Sequence, residues 1–446
     1  MNNMRTEILT SGMGQLFFKL AVPGIIGTLI LGLYNFVDGI FVGQLIGPEA
    51  LGGVTLVYSI VLINQAVLTL FGIGAMAVLS IAVGKNDHHT INRLLGHIII
   101  PIGIITLLFS VLVFSFSEQI ITFLGGKGSI SDYGQMYLNI LSTGFVFAAI
   151  GPAINMLFRG EGTIKQAMKI LSAGVVLNII LDFVFIYILK MGVQGAAWAT
   201  VISQIVLVLI NIIYIMNGNS VITFRNAKFS ISPRLIMKIV GIGSSSMIRL
   251  LMASIQQILL FKTLSAYKDP ALIPLLGAAY RVFLFVVIPF AGLGQGLQSI
   301  TGINYGAGKY NRVKSVFNAF TSYASVIAGI LWILLMILPK TFLGMMISDK
   351  EIIDSGVPFF RILFSTFIFT GFINNSSVFF QSLGKGLHAS LIALSRQILF
   401  FIPALIILPI FFGVNGVWFS MPAAEFLTVG VILFLLIREY RNLKME

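Results

Sequence analysis

Residues 16–43 read LFFKLAVPGIIGTLILGLYNFVDGIFVG, with Lys19 and Asp38 the only charged side chains in the run. A bilayer core is crossed by about 20 predominantly apolar residues in a helix, so this stretch is long enough to span. It has no small-residue cleavage pattern and far exceeds the apolar core of a signal peptide, which predicts a retained first transmembrane helix. The rest of the chain repeats the pattern. Of 446 residues, 57% are hydrophobic and only 10% charged, and the mean hydropathy is +1.00. So few charges could not solvate the surface of a soluble protein this large.

Segmenting at glycine, proline and charge clusters places further spans at 51–83, 93–117, 133–158, 166–189 and 194–216. A second set falls at 233–262, 272–304, 314–338, 354–381, 388–412 and 415–437. The expected class is therefore an all-α polytopic membrane protein with twelve transmembrane helices. The longest polar break, near 217–229, divides it into two six-helix lobes, 1–217 and 233–446, joined by a linker over 218–232.

The net charge of +13 is sorted by loop. Lys85, Arg93, Lys165, Lys169, Arg225, Lys309, Lys385, Arg396 and Arg438 fall on one side, whereas the opposite loops hold only lysines such as Lys127, Lys190 and Lys268. This positive-inside asymmetry predicts an inner-membrane protein with both termini cytoplasmic, and it speaks against nucleic acid as a partner. Cysteine is absent, and His88, His89, His97 and His388 are not at metal-ligand spacing, so no metal centre is expected. The partners expected are the lipid bilayer and small molecules, and the chain is expected to be monomeric.

The halves resemble each other. Gly84-Lys85 matches Gly308-Lys309, and Arg159-Gly-Glu-Gly162 matches Leu383-Gly-Lys-Gly386, both at a shift of 224. Gly192-Val-Gln-Gly195 matches Gly413-Val-Asn-Gly416 at a shift of 221, which sets Gln204 on Glu425. Two units that both begin and end inside imply a pseudo-twofold axis along the membrane normal, with a cleft between them.

Three acids fall deep in apolar segments: Asp38, Asp182 and Glu425. A carboxylate near the bilayer centre costs about 2.5 kcal/mol or more. It persists by facing a wet cavity, by pairing or by protonation. Tyr34 and Asp38 sit at i,i+4 on the first span, and Asn178 and Asp182 repeat that spacing on the fifth. Both spans run outward, so the two aspartates lie at comparable depth. Two carboxylates with oxygen and amide neighbours suit a proton or a hard cation, and mutual repulsion would couple their titration. A structural helix-packing bond is the alternative role. Glu425 either pairs with Arg249 or draws cationic substrate; the seventh span has no acid, only Arg249, Gln256 and Gln257. Asp38, Glu425 and Gln256 are thus the candidates for substrate contact.

The chain resembles the multidrug and toxic-compound extrusion (MATE) transporters, and within them the MepA-like bacterial branch. The carrying residues are Leu20-Ala-Val-Pro23, Tyr34-Asn-Phe-Val-Asp38, Gly84-Lys85-Asn86, Arg159-Gly-Glu-Gly162, Asn178-Ile-Ile-Leu-Asp182 and Gly192-Val-Gln-Gly-Ala196. The resemblance implies two lobes around a V-shaped cavity, alternating access, and export of cationic or amphipathic drugs driven by H⁺ or Na⁺, with no other cofactor. It implies an N-lobe ion site of Tyr34, Asp38, Asn178 and Asp182, to which it adds Asn155 and Thr200. Pro23 matches a first-helix proline at which bending is implied to accompany protonation, with a static proline kink as the alternative. The acid-free seventh span departs from members with a C-lobe cation site.

Other function classes fit less well. A lipid-linked oligosaccharide flippase of the wider superfamily should have a strongly cationic cavity. An intramembrane enzyme would need metal carboxylates or a Ser/Lys dyad, and ATP-driven export a Gly-x4-Gly-Lys-Ser/Thr loop; none occurs in the sequence. Gly292-Leu-Gly-Gln-Gly296 lacks that Lys-Ser/Thr and reads as a close helix contact.

Overall fold

The computed structural model describes the backbone of residues 2–226, 229 and 231–445; the side chains at 2, 3, 33–40, 226, 444 and 445 lie outside the described residues. The described elements are all helical. Eleven are long and apolar enough to cross a membrane, and one bent pair makes a twelfth, in agreement with the twelve predicted spans.

In the first half, α1 comprises Met13–Leu16, a π-helical turn Phe17–Ala21 and Val22–Leu45. It is followed by α2 (Pro48–Lys85) and α3 (His88–Ser115). The bent span α4 consists of Ser129–Thr143 and Phe145–Gly160, which meet at 53°. Next come α5 (Ile164–Asp182, extended by the π-helical Phe183–Ile188) and α6 (Gly192–Met216). The second half contains α7 (Pro233–Ser265), α8 (Leu272–Gly306) and α9 (Tyr310–Ile337). Span α10 is broken into Lys350–Phe364, a 3₁₀ turn Phe367–Phe369 and Thr370–Ser382. Span α11 runs through Gly386–Leu394, the π-helical Ser395–Phe400 and Phe401–Phe412, and α12 is Val414–Met445.

Bare apolar side chains cover the outside; Ile410 and Phe411 are each 74% exposed. Only lipid solvates such a face without cost. Inside the membrane a broken helix must have its freed carbonyls met by protein, and at the α4 bend side chains of two neighbouring spans reach the backbone. Asn64 Nδ2 on α2 donates to Phe145 O (3.2 Å), and Ser110 Oγ on α3 to Ser142 O (2.6 Å). At the break in α10, Trp332 Nε1 donates to Ser365 O (3.1 Å).

The left-handed turns give the register of the internal repeat. Asn86 and Gly308, then Gly162 and Gly384, occupy positive φ at matching turns. The differences 308 − 86 and 384 − 162 are both 222, and 413 − 192 for Gly192 and Gly413 is 221. The shift of 224 taken from the glycine motifs is therefore two residues too long. Glycine identity is common in membrane helices, whereas a positive φ marks a specific turn.

This register pairs Gly84 with Gly306, and the two meet across the halves. A Cβ on Gly84 would lie 2.2 Å from Ile303 O, and one on Gly306 2.1 Å from Ile81 O; Ile81 and Ile303 are themselves 222 apart. The axis relating the halves passes near this contact. Spans α1 and α8 touch similarly at Gly24 and Gly292, and α7 meets α2 where Gly243 faces Leu70 O. These contacts run from mid-span to the end where both termini lie. A helix at Asn2–Thr10 straps the same end. Arg5 caps the carbonyls of Val83 (3.1 Å) and Gly84 (2.8 Å) on α2, while Lys309 donates to Leu9 O (3.1 Å) and Arg312 to Ile8 O (3.1 Å). Basic groups thus satisfy orphan carbonyls at two helix ends and join the two halves.

At Pro23 a π-helical turn over Phe17–Ala21 immediately precedes the α-helix in which proline takes one of the first two positions. Proline lacks an N–H and crowds the carbonyl four residues back. The wider turn absorbs that conflict, so the expected irregularity at Pro23 lies on its N-terminal side.

Candidate functional site

A cavity of ≈ 550 Å³ opens among α1, α2, α4, α5 and α6. Its wall is mostly aliphatic and aromatic, with polar points at Asn64, Gln65, Arg159, Asn178, Thr200 and Gln204. Asn178 and Asp182 are one turn apart on α5, and both are buried, at 2% and 0% exposure. The amide of Asn178, turned so that its donors face acceptors, gives a hydrogen bond to Asp182 Oδ2 (3.0 Å). Its oxygen then faces the Thr200 N–H (3.2 Å) and the Ser203 hydroxyl (3.3 Å) on α6. Asn178, Asp182 and Thr200 are therefore brought together at the cavity wall. Thr200 Oγ1 and Gln204 Oε1, one turn apart on α6, are buried with no hydrogen-bond partner among the described residues. The side chains of Tyr34 and Asp38 lie outside the described residues.

Asn155 is separated from this group. Its Oδ1 accepts from Arg159 Nε (3.2 Å) and a terminal nitrogen (3.0 Å), and its Nδ2 donates to Ala167 O (2.9 Å). Ala167 precedes Asn178 by eleven residues on α5, about 16 Å at the helical rise. Asn155 thus holds Arg159 at the opposite end of the cavity, and its amide is used in doing so.

A second cavity of ≈ 230 Å³ lies among α7, α8, α10 and α11. Arg249, Asn374, Thr370, Ser377, Arg396 and Gln397 line it. Glu425 does not pair with Arg249, as the sequence allowed; it pairs with Arg396 and accepts from Thr366 Oγ1 (2.7 Å). Arg396 had been placed in a basic loop, yet it sits in the π-helical turn of α11. A guanidinium beside Glu425 neutralises the charge that would have drawn a cation. Gln256 is buried on α7 and lines neither of these two cavities.

A model of the MatE family matches the chain twice, over residues 23–184 and 245–407. The chain belongs to the MatE family. The two matches begin 222 residues apart, the same register as the left-handed turns. The MatE chain is 25% identical to the multidrug export protein MepA of Staphylococcus aureus (strain MSSA476) over 408 residues, covering 91% of this chain and 89% of that one. It is 24% identical to the MepA protein of Staphylococcus saprophyticus, covering 92% and 90%. An outward-facing MATE transporter of the MOP superfamily superposes with a TM-score of 0.90 at 23% identity, over 99% of this chain and 98% of that one. A MATE structure in a bent conformation gives the same TM-score, identity and coverage.

One buried group of this MatE chain was passed over as part of a glycine motif. Glu161, in the turn between α4 and α5, is 3% exposed. It accepts from Ser220 Oγ (2.8 Å), Val221 N (2.8 Å) and Thr163 Oγ1 (2.9 Å), so it pins the segment between α6 and α7. The other end of that segment is held by His97, whose Nδ1 donates to Arg93 O (2.7 Å) while its Nε2 accepts from Ser232 N–H (2.8 Å). The linker expected as a polar break is thus tied at both ends. Burial pushes the Glu161 carboxyl up to about 7, against the three hydrogen bonds, which favour its ionised form. A released carboxyl ionises near 4.5, so protonation favours the docked segment. Docking is fully favoured below about 4.5 and weakens as pH rises through about 7. Hydrogen exchange at the Val221 amide, corrected for intrinsic rate, should be slower at pH 6 than at pH 8. Glu161→Gln should abolish the difference; equal protection at both pH values in the wild type would exclude the latch.

Proposed function

We propose that the chain is a multidrug antiporter that exports cationic and amphipathic compounds by alternating access, coupled to inward H⁺ or Na⁺. The reading rests on family membership together with one observation: a buried Asp182 behind Asn178, at the wall of a largely apolar cavity. Apolar walls with few polar points accept many amphipathic shapes. Carboxylate, hydroxyl and amide oxygens suit a proton or a hard monovalent cation. An ion held at Asp182 and a cationic compound in the adjacent cavity compete for the same charge. Entry of the ion from outside therefore releases the compound outward. We assign Asp38 and Tyr34 to the same site on their sequence spacing, and assign the lobes to 1–217 and 233–446.

In proteoliposomes, dye efflux should follow an imposed pH or Na⁺ gradient of the coupling ion and stop when that gradient is dissipated. Efflux indifferent to both gradients would refute coupling. The same reading puts both termini in the cytoplasm and treats the monomer as the working unit. Cysteines introduced at Asn219 and Asn442 should then react with an impermeant thiol reagent only after cells are opened. Labelling of either in intact cells would reverse the topology.

A further inference from the structure

We propose that the cavity among α7, α8, α10 and α11 is a binding site for a small organic anion, a carboxylate held by Arg249 and Arg396. It goes beyond the export of cationic compounds and depends on neither the direction nor the coupling of transport. Two guanidinium groups line this pocket together. Among the described residues, the carboxylate in contact with either is Glu425, on Arg396. The side-chain partner of Arg249 among the described residues is neutral, Asn374 Oδ1 at 3.1 Å. Three charged groups therefore leave a net positive charge. Arg396 Nε and Thr370 Oγ1 are, in addition, buried without a hydrogen-bond partner among the described residues.

Depth makes this arrangement costly unless an anion completes it. Arg249 is sixteen residues from Pro233, about 24 Å into the span, which is mid-membrane. An arginine there costs about 2.5 kcal/mol or more and persists where it faces a cavity or a counter-charge. Pairing buried guanidinium groups with a carboxylate offsets that cost through two charge-assisted hydrogen bonds. The arrangement is specific to the second half. At the positions 222 residues earlier stand Gly27 and Gly174. A volume of ≈ 230 Å³ fits a single-ring compound, below the usual range for drug-sized ligands, and its depth keeps it out of reach of a lipid headgroup in the bilayer surface.

Benzoate is the probe, with benzamide as a neutral compound of the same shape. Titrated into detergent-purified protein, benzoate should bind saturably and raise the melting temperature, while benzamide does neither. Arg249→Gln should weaken benzoate at least tenfold. Because Arg396→Gln alone would strand the Glu425 charge, the paired Arg396→Gln/Glu425→Gln variant is the second arm, and it should weaken binding as well. No saturable benzoate binding, equal binding of benzamide, or unchanged affinity in both variants would overturn the proposal.

Discussion

Asp182→Asn is expected to reduce gradient-driven efflux to the rate of protein-free liposomes, a loss of at least tenfold, with the protein still inserted and monodisperse. The substitution keeps the shape of the side chain and an oxygen for the Asn178 amide, 3.0 Å from Asp182 Oδ2 in the wild type. It removes only the charge and the exchangeable proton. A structural role for Asp182 would therefore survive it, because a neutral amide is cheaper to bury than a carboxylate. A coupling role would not. Wild-type efflux at equal expression would take Asp182 out of the mechanism and leave it a structural role alone.

The second large effect is expected at the contact between the halves. Gly84→Val and Gly306→Val each place a side chain against a carbonyl that a bare Cβ would already approach to 2.2 or 2.1 Å. Overpacking a tight core costs about 1–3 kcal/mol, and backbone offers little relief. That penalty falls only on the state in which this end of the molecule is closed. At about 1.4 kcal/mol per factor of ten, it shifts the balance of access states up to about a hundredfold. Spin labels at Lys85 and Lys309 should move apart in either variant, and efflux should fall. An unchanged distance with full efflux would mean that the contact does not open during transport.

The twelve spans were legible because length and hydropathy suffice to find a membrane helix, and the bend in α4 at Gly144 merely divided one of them. The breaks themselves were harder to see. Asn64 and Ser110 donate to carbonyls beside the α4 bend, but polar residues in apolar runs announce no particular partner. The pairing of Asn178 with Asp182 followed from one-turn spacing on a single helix. Asn155 failed on the same ground in reverse, since its partners Arg159 and Ala167 determine its place and Ala167 is on another span. Arg396 was grouped with the loop charges although it lies inside the span 388–412, because a charge count by side carries no depth. Only the packing of α11 against α12 reveals Glu425 beside it. Glu161 was hidden by position: the sequence puts it in a turn, and burial comes from Ser220 and Val221, about sixty residues later.

In the proposed antiport, one buried carboxylate site exchanges a cation for substrate. The most direct measurement is proton or sodium release on substrate binding. Ethidium is added to purified protein in weak buffer, with pH and free Na⁺ recorded. Wild-type protein should displace H⁺ or Na⁺, saturating with ethidium binding, and Asp182→Asn should displace neither. Ethidium binding that displaces neither ion, or equal displacement by both proteins, would contradict that exchange.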